Sequence, residues 1–360
     1  MRIRRASPGK NEEYSGFAMK IAIAANNGNM GGGEVMLLAI AREARALGHE
    51  LVVLAPKEPD ELLRVAKDQG FGVESLPSSG RLQYMISLRK WWKENSSDLL
   101  WCNGLLPAVA TAGMRNRVVH LHQIPSVKLK PFLPLALFRN LRVVVPSAHM
   151  QVKIGAAKIL PNWSSPIGVR EDRDDTDEII IGFIGRFSSD KGLPNLIKAV
   201  NLAQAKISKP LRLVLAGQPR FVDDRDQQIV AEAISSSSVH IQQLGWVAPE
   251  DFFSQIDFAV VPSVWQEPFG LVASEAMSAR VPVIVSDAGA LPDIVGPQYP
   301  WVARAGDARS LSEVLLEAIG TPTREKISIV DDSFERWQRL FSPEAGRRSL
   351  DSTLKELEGV

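Results

Sequence analysis

One cysteine, Cys102, is present in 360 residues, so the chain has neither an internal disulfide nor a thiolate metal cluster. No run of about 18 apolar residues occurs, which argues against a membrane-spanning helix. The G-x-G-x-x-G spacing of a nicotinamide-dinucleotide fold is missing, and Leu51–Leu54 runs into Ala55-Pro56-Lys57 rather than a ribose-binding acid. No Asp-x-Asp pair closes a strand. Asp223, Asp224 and Asp226 lie in a polar stretch that reads as a loop or helix start rather than a metal site. There is no short repeat and no low-complexity tract. Residues 1–18 lack the apolar core of a secretory signal and read as a disordered extension or an upstream mis-start, with the fold beginning at Met19.

What remains is an ordinary apolar content of 45% and a charged content of 23%, as in a soluble globular protein. The length suits two domains, since single cores stop growing at roughly 250–300 residues. The net charge of +1 conceals an asymmetry: residues 1–163 hold 22 basic and 12 acidic side chains, and the rest hold 20 and 29. Such halves can hold an anionic ligand between them, or turn the basic half toward anionic lipid.

Apolar runs and helical segments alternate, the pattern of an α/β protein with parallel sheets. Ile21–Ala25, Leu51–Leu54, Leu99–Trp101, Val118–Leu121 and Val143–Val145 read as strands of a first unit. Charged residues 171–178 form a connector, and Ile179–Ile184 restarts the pattern. Leu211–Ala216, Val239–Leu244, Phe258–Val261 and Val281–Val285 follow. Two doubly wound domains are expected, at 19–163 and 164–335, with a C-terminal helical segment at 336–360. Ligands of such sheets bind beyond the carboxyl ends of the strands, which makes the cleft between the domains the default site.

Three stretches carry chemistry. Asn26-Asn-Gly-Asn-Met-Gly-Gly-Gly-Glu34 follows the first strand and opens a helix, so its glycines permit close approach by a phosphate. Gly185-Arg-Phe-Ser-Ser-Asp-Lys-Gly192 places Arg186 and Lys191 around a turn, a fork and a compact charge suited to a diphosphate. Val261-Pro-Ser-Val-Trp-Gln-Glu-Pro-Phe-Gly-Leu-Val-Ala-Ser-Glu-Ala-Met277 sets Glu267 and Glu275 at either end of a strand-to-helix passage. The helix start offers unpaired N–H groups to an anion, and the two carboxylates offer acceptors to sugar hydroxyls.

With Leu244-Gly-Trp-Val247, Pro161-Asn162, Val145-Pro-Ser147 and Ala290-Leu-Pro-Asp-Ile-Val295 in the same order, the chain from Met19 onward resembles the retaining glycosyltransferases of family 4. That resemblance implies the GT-B fold, two facing Rossmann-like domains, the first on the acceptor side and the second on the donor side. It implies transfer of a hexose from a nucleotide-diphosphate sugar to a hydroxyl acceptor, in polysaccharide or glycolipid synthesis. Arg186 and Lys191 would bind the diphosphate, Glu275 the ribose and Glu267 the donor sugar. Backbone N–H groups of Phe269, Gly270 and Leu271, and the loop Gly31, Gly32 and Gly33, would complete the donor site. In Val118-Val-His-Leu-His-Gln-Ile-Pro125 the family's histidine near the donor sugar and acceptor falls on His122, and His120 reads as a core residue. His122, Glu267, Arg186 and Lys191 form the expected catalytic set. Front-face transfer is favoured over a covalent Glu267 intermediate.

The resemblance also has gaps. The family often has a histidine where Trp101-Cys-Asn103 stands, a glutamate at Asp293 and a glycine at Ala290. These departures weaken any transfer of substrate identity. A UDP-hexose donor is the first expectation and a GDP-sugar the second, with no cofactor and no essential divalent metal. The alternatives are a GT-B nucleotide-sugar epimerase and a noncatalytic nucleotide-sugar-binding subunit of a polysaccharide assembly complex. No nucleic-acid partner is expected. Lys128–Arg142 mixes basic and apolar residues; it reads as a buried helix leading into Val143, with a membrane-surface segment as the alternative. The expected location is the cytoplasm, where that alternative adds contact with the inner membrane face. Trp337, Leu340 and Phe341 have helical spacing near the C-terminus, and by resemblance a helix there crosses back to the first domain.

Overall fold

The computed structural model describes residues 18–168, 177–220 and 222–358. The expected extension at 1–18, apart from Ala18, and most of the connector at 171–178 lie outside the described residues. The first sheet contains β1 (Lys20–Ala25), β2 (Glu50–Pro56), β3 (Gly72–Leu76), β4 (Leu99–Asn103), β5 (Arg117–His120), β6 (Arg142–Val145) and β7 (Lys158–Ile159), in the order β3-β2-β1-β4-β5-β6-β7. The second contains β8 (Ile179–Ile184), β9 (Leu211–Ala216), β10 (His240–Gly245), β11 (Phe258–Val261), β12 (Val283–Ser286) and β13 (Val302–Ala303), in the order β10-β9-β8-β11-β12-β13. Neighbouring strands in both sheets pair in parallel.

The apolar runs are continuous because both faces of each sheet are covered. In β1, Ile21 and Ile23 pack into one core while Ala22 and Ala24 pack into the other. In the second sheet Ile180 and Ile181 divide in the same way. Strand order reverses between β1 and β4, and again between β8 and β11. Those switch points open the crevices where ligands of doubly wound sheets bind.

The chain passes between the two sheets twice. On the first pass, Ser164 Oγ meets Ser274 Oγ at 2.9 Å and accepts from Trp337 Nε1 at 2.9 Å, while Ile167 N donates to Ser278 Oγ at 2.9 Å. Trp337 and Phe341 pack in the second domain's core. On the second pass, the helix Pro343–Glu358 buries Leu350, Leu354 and Leu357 in the first domain's core. Arg347 Nε reaches Glu43 Oε2 at 2.7 Å and Lys158 Nζ reaches Glu356 Oε1 at 2.5 Å.

The reading of Lys128–Arg142 as a buried helix is corrected by the structure. A 3₁₀ turn at Lys130–Phe132 leads into a short helix at Leu133–Leu137, and of these residues only Ala136 is buried. Pro131 and Pro134 lack the N–H groups that a longer helix needs. Buried Arg117 fixes the segment from below, donating to the carbonyls of Ala136 and, at 2.6 Å, Phe138. Phe132, Leu135 and Phe138 are left on the surface at 48%, 48% and 57% exposure.

Gly346 lies inside the helix Pro343–Glu358, where alanine would ordinarily stabilise by about 1 kcal/mol. A β-carbon there, however, would lie 2.2 Å from Trp163 Cδ2, inside a packed ring. Overpacking costs about 1–3 kcal/mol and outweighs the propensity gain. Gly346→Ala should therefore lower the thermal midpoint followed by circular dichroism. An unchanged or raised midpoint would show that the Trp163 ring can move aside.

Candidate active site

At the first switch point, the glycine loop after β1 leads into the helix Gly32–Ala46, whose N-cap Gly31 has no side-chain cap bond. Met30 N donates to Glu61 Oε2 at 2.9 Å and Leu62 N to Gly28 O at 2.9 Å, so the next helix holds the loop. Glu34, third in the helix, is buried and accepts from Asn27 Nδ2 at 3.3 Å. Burial raises its pKa to about 7, against partial relief from the N–H groups of Glu34 and Gly31.

The loop touches both neighbouring walls. A β-carbon at Gly32 would lie 3.8 Å from Leu271 Cδ1 of the second domain, and one at Gly33 would lie 3.6 Å from the His122 ring. Ser147 Oγ, from the first domain, donates to Pro268 O at 2.5 Å. These contacts bring the glycine loop, His122 and the 267–271 stretch to one cleft.

At the second switch point, Lys191 Nζ and Ser263 Oγ each lie 2.5 Å from Glu267 Oε1. Glu267 is 6% exposed. Its backbone is fixed from behind: Ala290 N donates to Glu267 O at 2.9 Å, and a β-carbon at Gly289 would come within 2.4 Å of Glu267 N and O. Gly289 also has φ +64°, so only glycine is comfortable there. Arg186 does not join Lys191; its guanidinium pairs with Asp190, which also accepts from Ser188. Among the described residues, Arg186 Nε is buried without a partner. Asp190 O further accepts from Val264 N and Trp265 N at 2.9 and 3.0 Å, tying the cation turn to the Glu267 loop.

Phe269 is buried and packs edge-on against Phe341 at 5.4 Å, which leaves its backbone as the part available to a ligand. Gly270, at φ +106°, is the N-cap of the helix Leu271–Ser278 and supplies no side-chain cap. Glu275 lies on this helix. Burial, with Glu250 nearby, raises its pKa to about 7, and among the described residues nothing hydrogen-bonds its carboxylate.

His120 is fully buried with both ring nitrogens unpartnered among the described residues, and burial drives its pKa well below the usual range. It packs between Trp101 (5.7 Å, edge-on) and His122 (3.9 Å), as a core residue would. His122 Nε2 pairs with Asn103 Oδ1 at 2.7 Å. Asp223 caps the helix Asp224–Ser235 by accepting from Asp226 N, so this acidic group marks a helix start as expected. Among the described residues, no set of three or more His, Cys, Asp or Glu is grouped to hold a metal ion.

Sequence reasoning missed Asn103, Ser263 and Asp190. Asp190 stands directly before Lys191, and Ser263 lies in the loop just after β11, so position in the motif was the available signal. Nothing in the sequence marked Asn103 beyond its departure from the family's histidine.

Two parallel sheets with facing switch points are the GT-B architecture of nucleotide-sugar glycosyltransferases. HepE from Anabaena, solved with UDP and glucose, has this architecture; it superposes at a TM-score of 0.78 with 21% identity, covering 94% of this chain and 99% of that one. Residues 169–328 match the family described as Glycosyl transferases group 1, and residues 30–159 match Glycosyltransferase Family 4. The chain belongs to this glycosyltransferase family.

Among curated proteins, the chain is 26% identical over 196 residues to the capsular polysaccharide biosynthesis glycosyltransferase CapM of Staphylococcus aureus, a match covering 51% of this chain and 48% of CapM. An uncharacterised glycosyltransferase of Methanocaldococcus jannaschii is 32% identical over 134 residues, 37% of this chain and 32% of that protein. The matched stretches thus span about a third to a half of these relatives.

Glu34 and Glu275 make stability depend on pH with a defined sign. Each carboxyl binds its proton more tightly folded than unfolded, so ionisation opposes folding; stability is highest below about pH 4.5 on this account and falls until about pH 7. Glu275→Gln should raise the ligand-free melting temperature at pH 8, by roughly 2–4 °C per kcal/mol relieved. The advantage should shrink at pH 5, where the native carboxyl is already protonated. An equal gain at both pH values would point to a cause other than ionisation.

Proposed function

We propose that the protein is a retaining hexosyltransferase acting from a nucleotide-diphosphate sugar, UDP-linked first and GDP-linked second, onto a hydroxyl acceptor in polysaccharide or glycolipid synthesis. The observation that carries this reading is the Lys191–Glu267 pair seated on Ser263, across the cleft from the glycine loop. A half-buried cation matched to one carboxylate is a charge that an incoming diphosphate can claim. Glu267 is then released toward the hydroxyls of the donor sugar. The uncapped N-terminus of the helix Leu271–Ser278 adds N–H donors and positive dipole to the same anion.

In this reading Lys191 and Arg186 stabilise charge growing on the leaving diphosphate. Glu275 accepts from the ribose, and transfer proceeds on the leaving-group face, where a phosphate oxygen takes the acceptor's proton. No essential divalent metal is needed in this scheme. The UDP and glucose in the HepE structure favour a UDP-hexose as the first donor to try.

Donor hydrolysis across a UDP- and GDP-sugar panel is the direct test. Slow release of nucleotide diphosphate should fall roughly 10²–10³-fold in Lys191→Ala. Absence of turnover with every donor and acceptor tried, while nucleotide diphosphates still bind, would favour a binding subunit. Proton NMR of the transferred anomer tests retention, and an inverted product overturns that part.

The reading extends to a peripheral membrane contact on the cytoplasmic face. Exposed Val127, Leu129, Phe132, Leu135 and Phe138 are interleaved with Lys128, Lys130 and Arg139. Apolar side chains among basic ones suit an anionic lipid surface. No described helix is long and apolar enough to cross a membrane. The protein should float with phosphatidylglycerol-containing vesicles and less with neutral ones. Added salt, or Phe132→Ser with Phe138→Ser, should weaken this; no lipid-dependent flotation would sink it.

A further inference from the structure

Asn103 ends β4 at the first switch point and is 1% exposed. Its Nδ2 donates to Gly33 O at 3.0 Å and its Oδ1 lies 2.7 Å from His122 Nε2. These bonds settle a question of protonation that ring geometry alone leaves open. A carbonyl only accepts, so the Asn103 NH₂ group must face Gly33 O. The amide oxygen then faces His122 and can only accept, which requires the imidazole hydrogen on Nε2. Nδ1 consequently bears a lone pair, and among the described residues it is buried without a partner.

From this geometry we infer that Asn103 is a positioning residue that holds His122 as the Nε2–H tautomer and fixes its ring against the glycine loop. The effect on turnover rests on the transferase reading, but the tautomer rests on the fold alone. The surroundings keep the ring neutral. The His120 ring lies against His122, tilted by 42° with centroids 3.9 Å apart, and no described carboxylate bonds to either ring. Burial lowers the His122 pKa to about 4, so the lone pair is not lost to a proton at neutral pH. Asn103 also links two walls of the site: the Gly33 carbonyl belongs to the glycine loop and His122 follows β5. A shift of the loop is therefore felt at the imidazole.

The test is long-range ¹H–¹⁵N NMR of the full chain labelled at its five histidines, with His122 assigned by His122→Gln. Ligand-free wild type should show the Nε2–H pattern for His122 and remain neutral to below pH 5. Asn103→Ala should move His122 toward the Nδ1–H form or a mixture, with donor turnover reduced about ten-fold, the loss of one hydrogen bond. Asn103→Asp keeps an acceptor facing Nε2 and so retains the tautomer, while its anion raises the His122 titration and adds an acid limb to the pH–rate profile. An Nδ1–H pattern in wild type, or an unchanged pattern in a folded Asn103→Ala, overturns the inference. Failure of every donor to turn over would count against the transferase reading and leave the NMR result to decide this one.

Discussion

Every strand in both sheets runs parallel to its neighbours, and this constraint shapes the rest of the molecule. Parallel pairing sends all carboxyl ends of a sheet to one edge and needs a crossover after each strand. Where the strand order reverses, consecutive crossovers leave to opposite sides and a crevice opens. The glycine loop and Asn103 follow β1 and end β4, while the Arg186–Lys191 turn and the Ser263–Glu267 loop follow β8 and β11. Residues far apart in the chain are thereby collected without any helix or loop having to reach for them. The two passes of the chain between the sheets, one through Ser164 and one before Pro343, hold these edges toward each other.

Much of this was legible because the strands that carry the site are buried on both faces. Such strands read as unbroken apolar runs, and the turns after them are punctuated by glycine and proline. β3 was missed for the opposite reason: Gly72-Val-Glu-Ser-Leu76 is a largely exposed edge strand with no run to see. The segment 128–142 misled because apolar composition signals burial only when the backbone can pack it. Two prolines and the Arg117 anchor turned that segment outward. Within the site, residue types and order were readable, but pairings were not. Nothing in the spacing of Arg186 and Lys191 says that one turns to Asp190 and the other to Glu267.

Those pairings describe a site whose charges are provisionally satisfied. Lys191 and Arg186 each hold a carboxylate, so neither cation is left bare. The acids behave differently. Glu34 is buried and Glu275 half-buried, and each resists ionisation. A protein selected for stability alone would place neutral groups there. Acids kept at the helix start beside the glycine loop and on the helix Leu271–Ser278 are consistent with ligand contacts that are completed only in the complex.

The Asn103–His122 pair illustrates how a departure from a family pattern can be compensated locally. A histidine at position 103 would bring a second ambiguous ring to the same spot, whereas an amide pinned by Gly33 O has one orientation. That orientation dictates the tautomer of His122, and burial keeps the ring neutral. The glycine loop and the His122 ring are thereby joined in one hydrogen-bonded unit. Donor and acceptor selectivity in this chain is therefore expected to depend on a residue that need not touch either substrate.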